Sequence, residues 1–124
     1  MKTIRCGVIG LGWFGEKHCE VLHNLPQAEL HSLCTRPPER LAEVATRFGV
    51  EKTHTDYHQM LADPDIDVVS VVTMWDQHVE PAIAALEAGK HVFLEKPMAS
   101  TLADCDRILE AAAMASGKFM VGHI

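Results

Sequence analysis

Clustered positive charge is absent from this chain: eleven Lys and Arg are scattered among seventeen Asp and Glu, a formal net charge of −6. Nucleic-acid surfaces select grouped Lys and Arg, so that class of partner is excluded and any anionic ligand must be met locally. Long apolar runs are absent as well. None approaches the roughly eighteen residues of a membrane span. The run that follows Met1-Lys2-Thr3 is too short for a secretory signal, which makes the cytoplasm the expected compartment.

Cysteine is sparse and badly spaced for chemistry. Cys6, Cys19, Cys34 and Cys105 contain no C-x-x-C pair, and Cys6 and Cys34 fall inside strand-like apolar runs, so reduced, structural thiols are expected. Cys19 and His23 have the i, i+4 spacing of a helical ligand pair, but no second compact pair accompanies them, and no metal site is expected. Aromatic residues are few, at 6%, while 48% of the chain is hydrophobic and 23% charged, the balance of a globular protein rather than a fibrous or disordered one. No repeat, low-complexity stretch or linker interrupts it, so residues 1–124 are expected to form one domain.

What is present is a strict alternation. Ile4 to Ile9 reads as a strand ending in glycines, and a helical pattern from about Phe14 to Asn24 follows, with Cys19, Leu22 and Leu25 on one side. Ala28 to Cys34 is a second strand. Pro37-Pro38-Glu39 opens a helix that buries Leu41, Val44, Ala45 and Phe48 and stops at Gly49. Lys52 to His54 is a short strand, after which Asp56 and Gln59 form a capping box for a helix through Leu61.

The nearly continuous β-branched run Asp67 to Val72 marks a central parallel strand. A helix with Pro81 in its first turn and Val79, Ile83 and Leu86 on one stripe ends at Gly89, and His91 to Leu94 form a fifth strand. Ser100 or Thr101 caps a last helix expected to bury Leu102, Cys105, Leu109 and Ala112. It closes at Gly117 before a sixth strand, Phe119 to Val121. Six strands alternating with five helices require right-handed crossovers, giving an α/β fold: a doubly wound parallel sheet of order 3-2-1-4-5-6, the Rossmann arrangement.

The first turn, Gly10-Leu11-Gly12-Trp13-Phe14-Gly15, sits between strand and helix, the context in which each glycine of G-x-G-x-x-G has a mechanical task. Gly10 makes the tight turn, Gly12 lets backbone approach a pyrophosphate, and Gly15 lets helix pack on strand. First-turn amides without internal acceptors, together with the helix dipole, favour an anion there even in an acidic protein. A site for NAD needs Asp or Glu at the end of the second strand, whereas this chain has Cys34-Thr35-Arg36. A hydroxyl followed by a guanidinium suits a 2′-phosphate, so NADP is expected over NAD, with Arg36 the principal contact and Thr35 and Arg40 assisting. An S-adenosylmethionine methyltransferase would want a different glycine spacing and an acid ending strand two.

The stretch Ala88 to Pro97, closing on Glu95-Lys96-Pro97, together with Gly10-Leu11-Gly12, Asp63-Pro64-Asp65-Ile66-Asp67, His78 and Val121-Gly122-His123, resembles the Gfo/Idh/MocA oxidoreductases from Ile4 to Gly122. The resemblance implies a dehydrogenase or reductase moving hydride between a nicotinamide and a sugar, polyol or related substrate. It places Lys96 near the nicotinamide and the substrate hydroxyl as the catalytic residue, and Glu95 beside it. Thr73 and His78 carry over as cofactor-side residues. The family's Thr-Pro-Asn reads Thr73-Met74-Trp75 here, so the Asn contact does not carry over, and Trp75 is left to wall the cofactor or to pack a loop. The family also continues into a second α/β domain bearing most substrate contacts, which implies that this chain is complete as a fold and incomplete as an enzyme, and that the full-length protein is a homo-oligomer. The reading from a different class is a non-catalytic NADP(H) sensor, which has no use for Glu95-Lys96-Pro97.

Overall fold

The computed structural model describes residues 2–122, so His123 of the family match lies outside the described residues. The elements run β1 (Ile4–Ile9), α1 (Trp13–Asn24), β2 (Ala28–Cys34), α2 (Pro38–Phe48), β3 (Lys52–His54), α3 (Tyr57–Leu61), β4 (Val68–Val71), a 3-10 turn (Trp75–Gln77), α4 (Val79–Glu87), β5 (His91–Glu95), α5 (Leu102–Met114) and β6 (Phe119–Gly122). The strands pair in parallel as one sheet of order β3-β2-β1-β4-β5-β6, the doubly wound topology expected.

Helices on both faces produce two cores. Val8, Leu30, Leu33, Leu41, Val44 and Cys19 lie together under α1 and α2. Ile9, Val69, Val71, Leu94, Met60, Ala82 and Ile108 lie together under α3, α4 and α5. Val69, Val71, Leu94 and Ile108 are completely buried, each such side chain contributing about 1.5–3 kcal/mol relative to exposure.

Three local expectations are corrected by packing. In α5 the buried side chain is Ile108, whereas Leu102 and Leu109 are 85% and 52% exposed. The helix is rotated so that Ile108 and the small Ala111, Ala112 and Ala115 meet the core. Alanines on α4, where Ala82 and Ala85 are fully buried, let the two helices approach, and that close contact outweighs the larger leucines. In α1 only Gly15 and Cys19 are buried, and Leu25 has become the exposed residue that ends the helix. Asp56 does cap α3, accepting from the His58 amide at 2.9 Å, but Gln59 supplies no reciprocal bond among the described residues. Thr101 rather than Ser100 caps α5, accepting from the Asp104 amide.

The three cysteines in the cores, Cys6, Cys19 and Cys34, carry free thiols, and burial pushes them up to about 11, about 12 and about 11 respectively. They are poor nucleophiles near neutral pH, as small buried hydrophobes should be. No helix among the described residues is long and apolar enough to cross a membrane.

Candidate cofactor-binding site

β1 lies between β2 and β4, so successive crossovers leave it in opposite directions and a crevice opens beyond the carboxyl ends of β1 and β4. A cleft of about 810 Å³ occupies that crevice, lined by Gly10 to Phe14, Thr35, Arg36, Arg40, Thr73 and Glu95 among others.

The glycine turn is fastened on several sides. The Gly10 amide donates to the Cys34 carbonyl at 2.9 Å, and the Val72 amide donates to the Ile9 carbonyl at 2.8 Å. Gly10 has φ +97°, and a Cβ there would press on the Val72 carbonyl. Gly15, already inside α1, lies so close to the Gly10 carbonyl that a side chain at 15 would collide with backbone. Helix α1 begins at Trp13, one residue earlier than its sequence pattern suggests, with Gly12 as an N-cap that offers no side-chain bond. The first-turn amides therefore face the cleft without a side-chain acceptor, and the dipole of twelve helical residues adds to their pull on an anion.

Arg36 and Arg40 have different situations. Arg36 is exposed at the cleft wall and forms no salt bridge among the described residues. Arg40 lines the same wall but is engaged: its Nε donates to the Leu11 carbonyl at 2.8 Å, and its remaining nitrogens face Glu43 and Glu16. Glu16 also accepts from Arg47, which ties α1 to α2. Arg40 thus braces the glycine turn from outside while lining the cleft.

At the end of β5, Glu95 lines the cleft, and Lys96 follows it, exposed, joined to Pro97 by a cis peptide bond. His18 of α1 reaches the Glu95 carboxylate at 3.1 Å and sits between the rings of Phe14 and Phe93. Nothing in the sequence marks His18. It lies 77 residues from Glu95, and no local pattern links the two. Thr55, Tyr57, Gln77 and Glu80 also line the cleft and were equally unmarked.

Four of the residues expected on the cofactor side, Gly15, Trp75, His78 and Lys96, are not among those lining the cleft. Trp75 begins the 3-10 turn and is 54% exposed, but it is not among the residues lining the cleft. Trp13, 71% exposed, is. His78 is 1% exposed and does not reach the cleft surface; it lies beneath, bonded through Nδ1 to the Thr73 hydroxyl at 3.0 Å. It joins the turn at Trp75–Gln77 to α4, as the residue that caps both.

Burial pushes the His78 imidazole below its ordinary 6.5, opposed by the Lys96 carbonyl and by the charges of Glu95 and Asp76. The sign follows from proton uptake: below 6.5 the unfolded chain protonates this histidine and the folded chain resists, so its stabilising contribution is present above 6.5 and is lost as pH falls. Melting temperatures measured from pH 7.5 to 5 are expected to fall more steeply for wild type than for His78→Gln. Equal slopes would refute the assignment.

Away from the cleft, one group of possible metal ligands occurs among the described residues: His31, Asp63 and Asp65. His31 is already bonded to Glu29 and Asp63, at 3.1 and 3.0 Å. These bonds tie β2 to the loop after α3.

The geometry can now be compared with known proteins. Residues 4–123 match the model of the GFO_IDH_MocA oxidoreductase family, NAD-binding Rossmann fold. The chain belongs to this family. A myo-inositol 2-dehydrogenase of Thermotoga maritima is 42% identical over 107 residues, covering 86% of this chain and 32% of that protein. A 4-carboxy-2-hydroxymuconate-6-semialdehyde dehydrogenase of Sphingobium is 38% identical, over 97% of this chain and 38% of the relative. Among solved structures, scyllo-inositol dehydrogenase of Lactobacillus casei with bound NAD(H) and scyllo-inositol superposes with a TM-score of 0.92 at 32% identity, covering 98% of this chain and 36% of that one. The chain thus spans about a third of the length of these relatives. The GFO_IDH_MocA Rossmann domain is of the NAD-binding kind, which favours the oxidoreductase reading over the sensor.

Proposed function

We propose that this domain binds NADP(H) in the cleft and serves a dehydrogenase acting on a sugar, polyol or related alcohol, with the second domain needed for substrate supplied by a longer polypeptide. The observation that carries the cofactor preference is the end of β2. Where an NAD site wants a carboxylate, Thr35 and an exposed Arg36 with no salt bridge among the described residues face the cleft. A planar guanidinium offers a 2′-phosphate two parallel charged hydrogen bonds, and a ribose hydroxyl draws much less from it. Arg40 supports this site through the turn, with its Nε on Leu11. The diphosphate is taken by the amides at the start of α1, and the nicotinamide end lies towards Glu95 and Lys96.

Hydride transfer is the cofactor's chemistry. Lys96 orients the substrate oxygen and accepts or returns its proton. The exposed Met120 of β6, beside Phe93 in register, leaves an apolar strip of sheet for the second domain to cover. Free thiols and a nicotinamide ligand suit the cytoplasm, and the longer protein assembles as a homo-oligomer.

The test is titration with NADPH and NADH, followed by quenching of Trp13. NADPH is expected to bind more tightly, and Arg36→Ala to narrow the ratio roughly 10- to 100-fold, the value of hydrogen bonds to a charged group. Equal affinities in wild type, or an unchanged ratio in the variant, would reject the preference. Failure of both dinucleotides to bind would reject the site itself.

A further inference from the structure

A fully buried imidazole with one nitrogen unaccounted for has to be explained, because buried polar atoms are nearly always paired. His78 is 1% exposed, and its Nε2 has no hydrogen-bond partner of standard geometry. Its other nitrogen, Nδ1, is 3.0 Å from the hydroxyl of Thr73, a residue that lines the cleft. The backbone group that influences this ring is that of Lys96, the residue that follows β5, the strand next to β4. His78 therefore stands between two parts of the site: the segment after β4 on one side and the Glu95-Lys96 segment on the other.

A neutral imidazole has one N–H and one lone pair, and its two neighbours decide which nitrogen holds the proton. A carbonyl can only accept, whereas a threonine hydroxyl can donate. The arrangement that satisfies both neighbours has the Thr73 hydroxyl donating to Nδ1 and Nε2–H directed at the Lys96 carbonyl. Burial, which lowers the pKa of this ring, keeps it in the neutral form that has a single proton to place.

We propose that His78 is a positioning residue: through an Nε2–H aimed at the Lys96 carbonyl it holds the backbone that presents the Lys96 ammonium, and through Thr73 it couples that backbone to the cleft wall. The exposed side chain of Lys96 has no packing of its own to fix it, so its placement depends on how rigidly its backbone is held. The functional meaning rests on the assignment of Lys96 as the proton-handling group. The hydrogen bond itself does not.

The experiment is long-range ¹H–¹⁵N NMR of the histidine ring in this chain at neutral pH, with the Lys96 carbonyl ¹³C shift read in wild type, His78→Gln and His78→Leu. The expected result is the Nε2–H tautomer in wild type. The Lys96 carbonyl resonance should stay near its wild-type position in His78→Gln, whose amide nitrogen takes the place of Nε2, and move upfield in His78→Leu. A histidine that only filled space would let leucine replace it without moving that resonance. An Nδ1–H tautomer in wild type overturns the proposal, and so does a Lys96 carbonyl shift indifferent to leucine. Should His78→Leu fail to fold, the wild-type tautomer still decides. Because the readout needs no turnover, it stands or falls separately from the oxidoreductase reading.

Discussion

Substituting Lys96 by alanine is expected to lower turnover roughly a hundred- to ten-thousandfold, the usual worth of a positioned acid–base group, while leaving NADPH affinity within about threefold, under 1 kcal/mol. The measurement needs a form of the protein that carries a substrate domain, compared with its own Lys96→Ala variant in steady-state kinetics and in cofactor titration. The split between the two readouts follows from where the residue sits. Lys96 is exposed beyond the end of β5, whereas the groups proposed to hold the diphosphate and ribose are at the ends of β1 and β2. Retained turnover would remove Lys96 from the chemistry. Turnover and cofactor affinity lost together would make it a binding residue instead.

A methyl group at Gly15 should do more damage than its size suggests. The added Cβ would collide with the Gly10 carbonyl, which is backbone and cannot rotate away, so the helix must lift from the turn. Gly15→Ala is expected to cost about 3 kcal/mol of stability, to lower the melting temperature by roughly 10 °C, and to weaken NADPH binding at least about a hundredfold. Gly12→Ala supplies the contrast. Nothing in the protein lies within 4 Å of a Cβ there, and φ is −73°, which alanine adopts freely. That variant should melt within about 2 °C of wild type yet still lose affinity, because its methyl projects where the diphosphate approaches. If both variants bind NADPH as wild type does, the turn is structural and the ligand lies elsewhere. If Gly12→Ala melts as badly as Gly15→Ala, the distinction between fold and ligand at this turn is wrong.

The His78 arrangement adds a constraint on how the site could be altered. Thr73 bonds His78 from the cleft wall, the proposed Nε2–H bond would extend that link to the Lys96 backbone, and His18 holds Glu95 from the opposite face of the sheet at 3.1 Å. One imidazole from α1 and one from the residue that precedes α4 therefore flank the Glu95-Lys96 segment. Changes to the nicotinamide end that disregard either one should disturb the lysine even when the lysine itself is untouched.

The order of elements, the parallel sheet, the glycine turn between β1 and α1 and the absence of an acid at the end of β2 were all determined by the chain itself, because they depend on local periodicity, on glycine's backbone freedom and on charge at a known distance along the sequence. Even the helix ends at Gly49 and Thr101 were written locally, in a left-handed φ and a side-chain cap. What only the tertiary structure decided depends on meetings between distant segments. The face α5 buries was chosen by the alanines of α4, not by its own leucines. The duty of Arg40 was fixed by a carbonyl 29 residues away, and that of His18 by a carboxylate 77 residues away. His78 was visible as a residue of the site, but its burial beneath the wall, where it joins the turn at Trp75–Gln77 to α4, was decided by packing. Periodicity reports which residues share a side of a helix. It carries no information about what the rest of the chain will bring to that side.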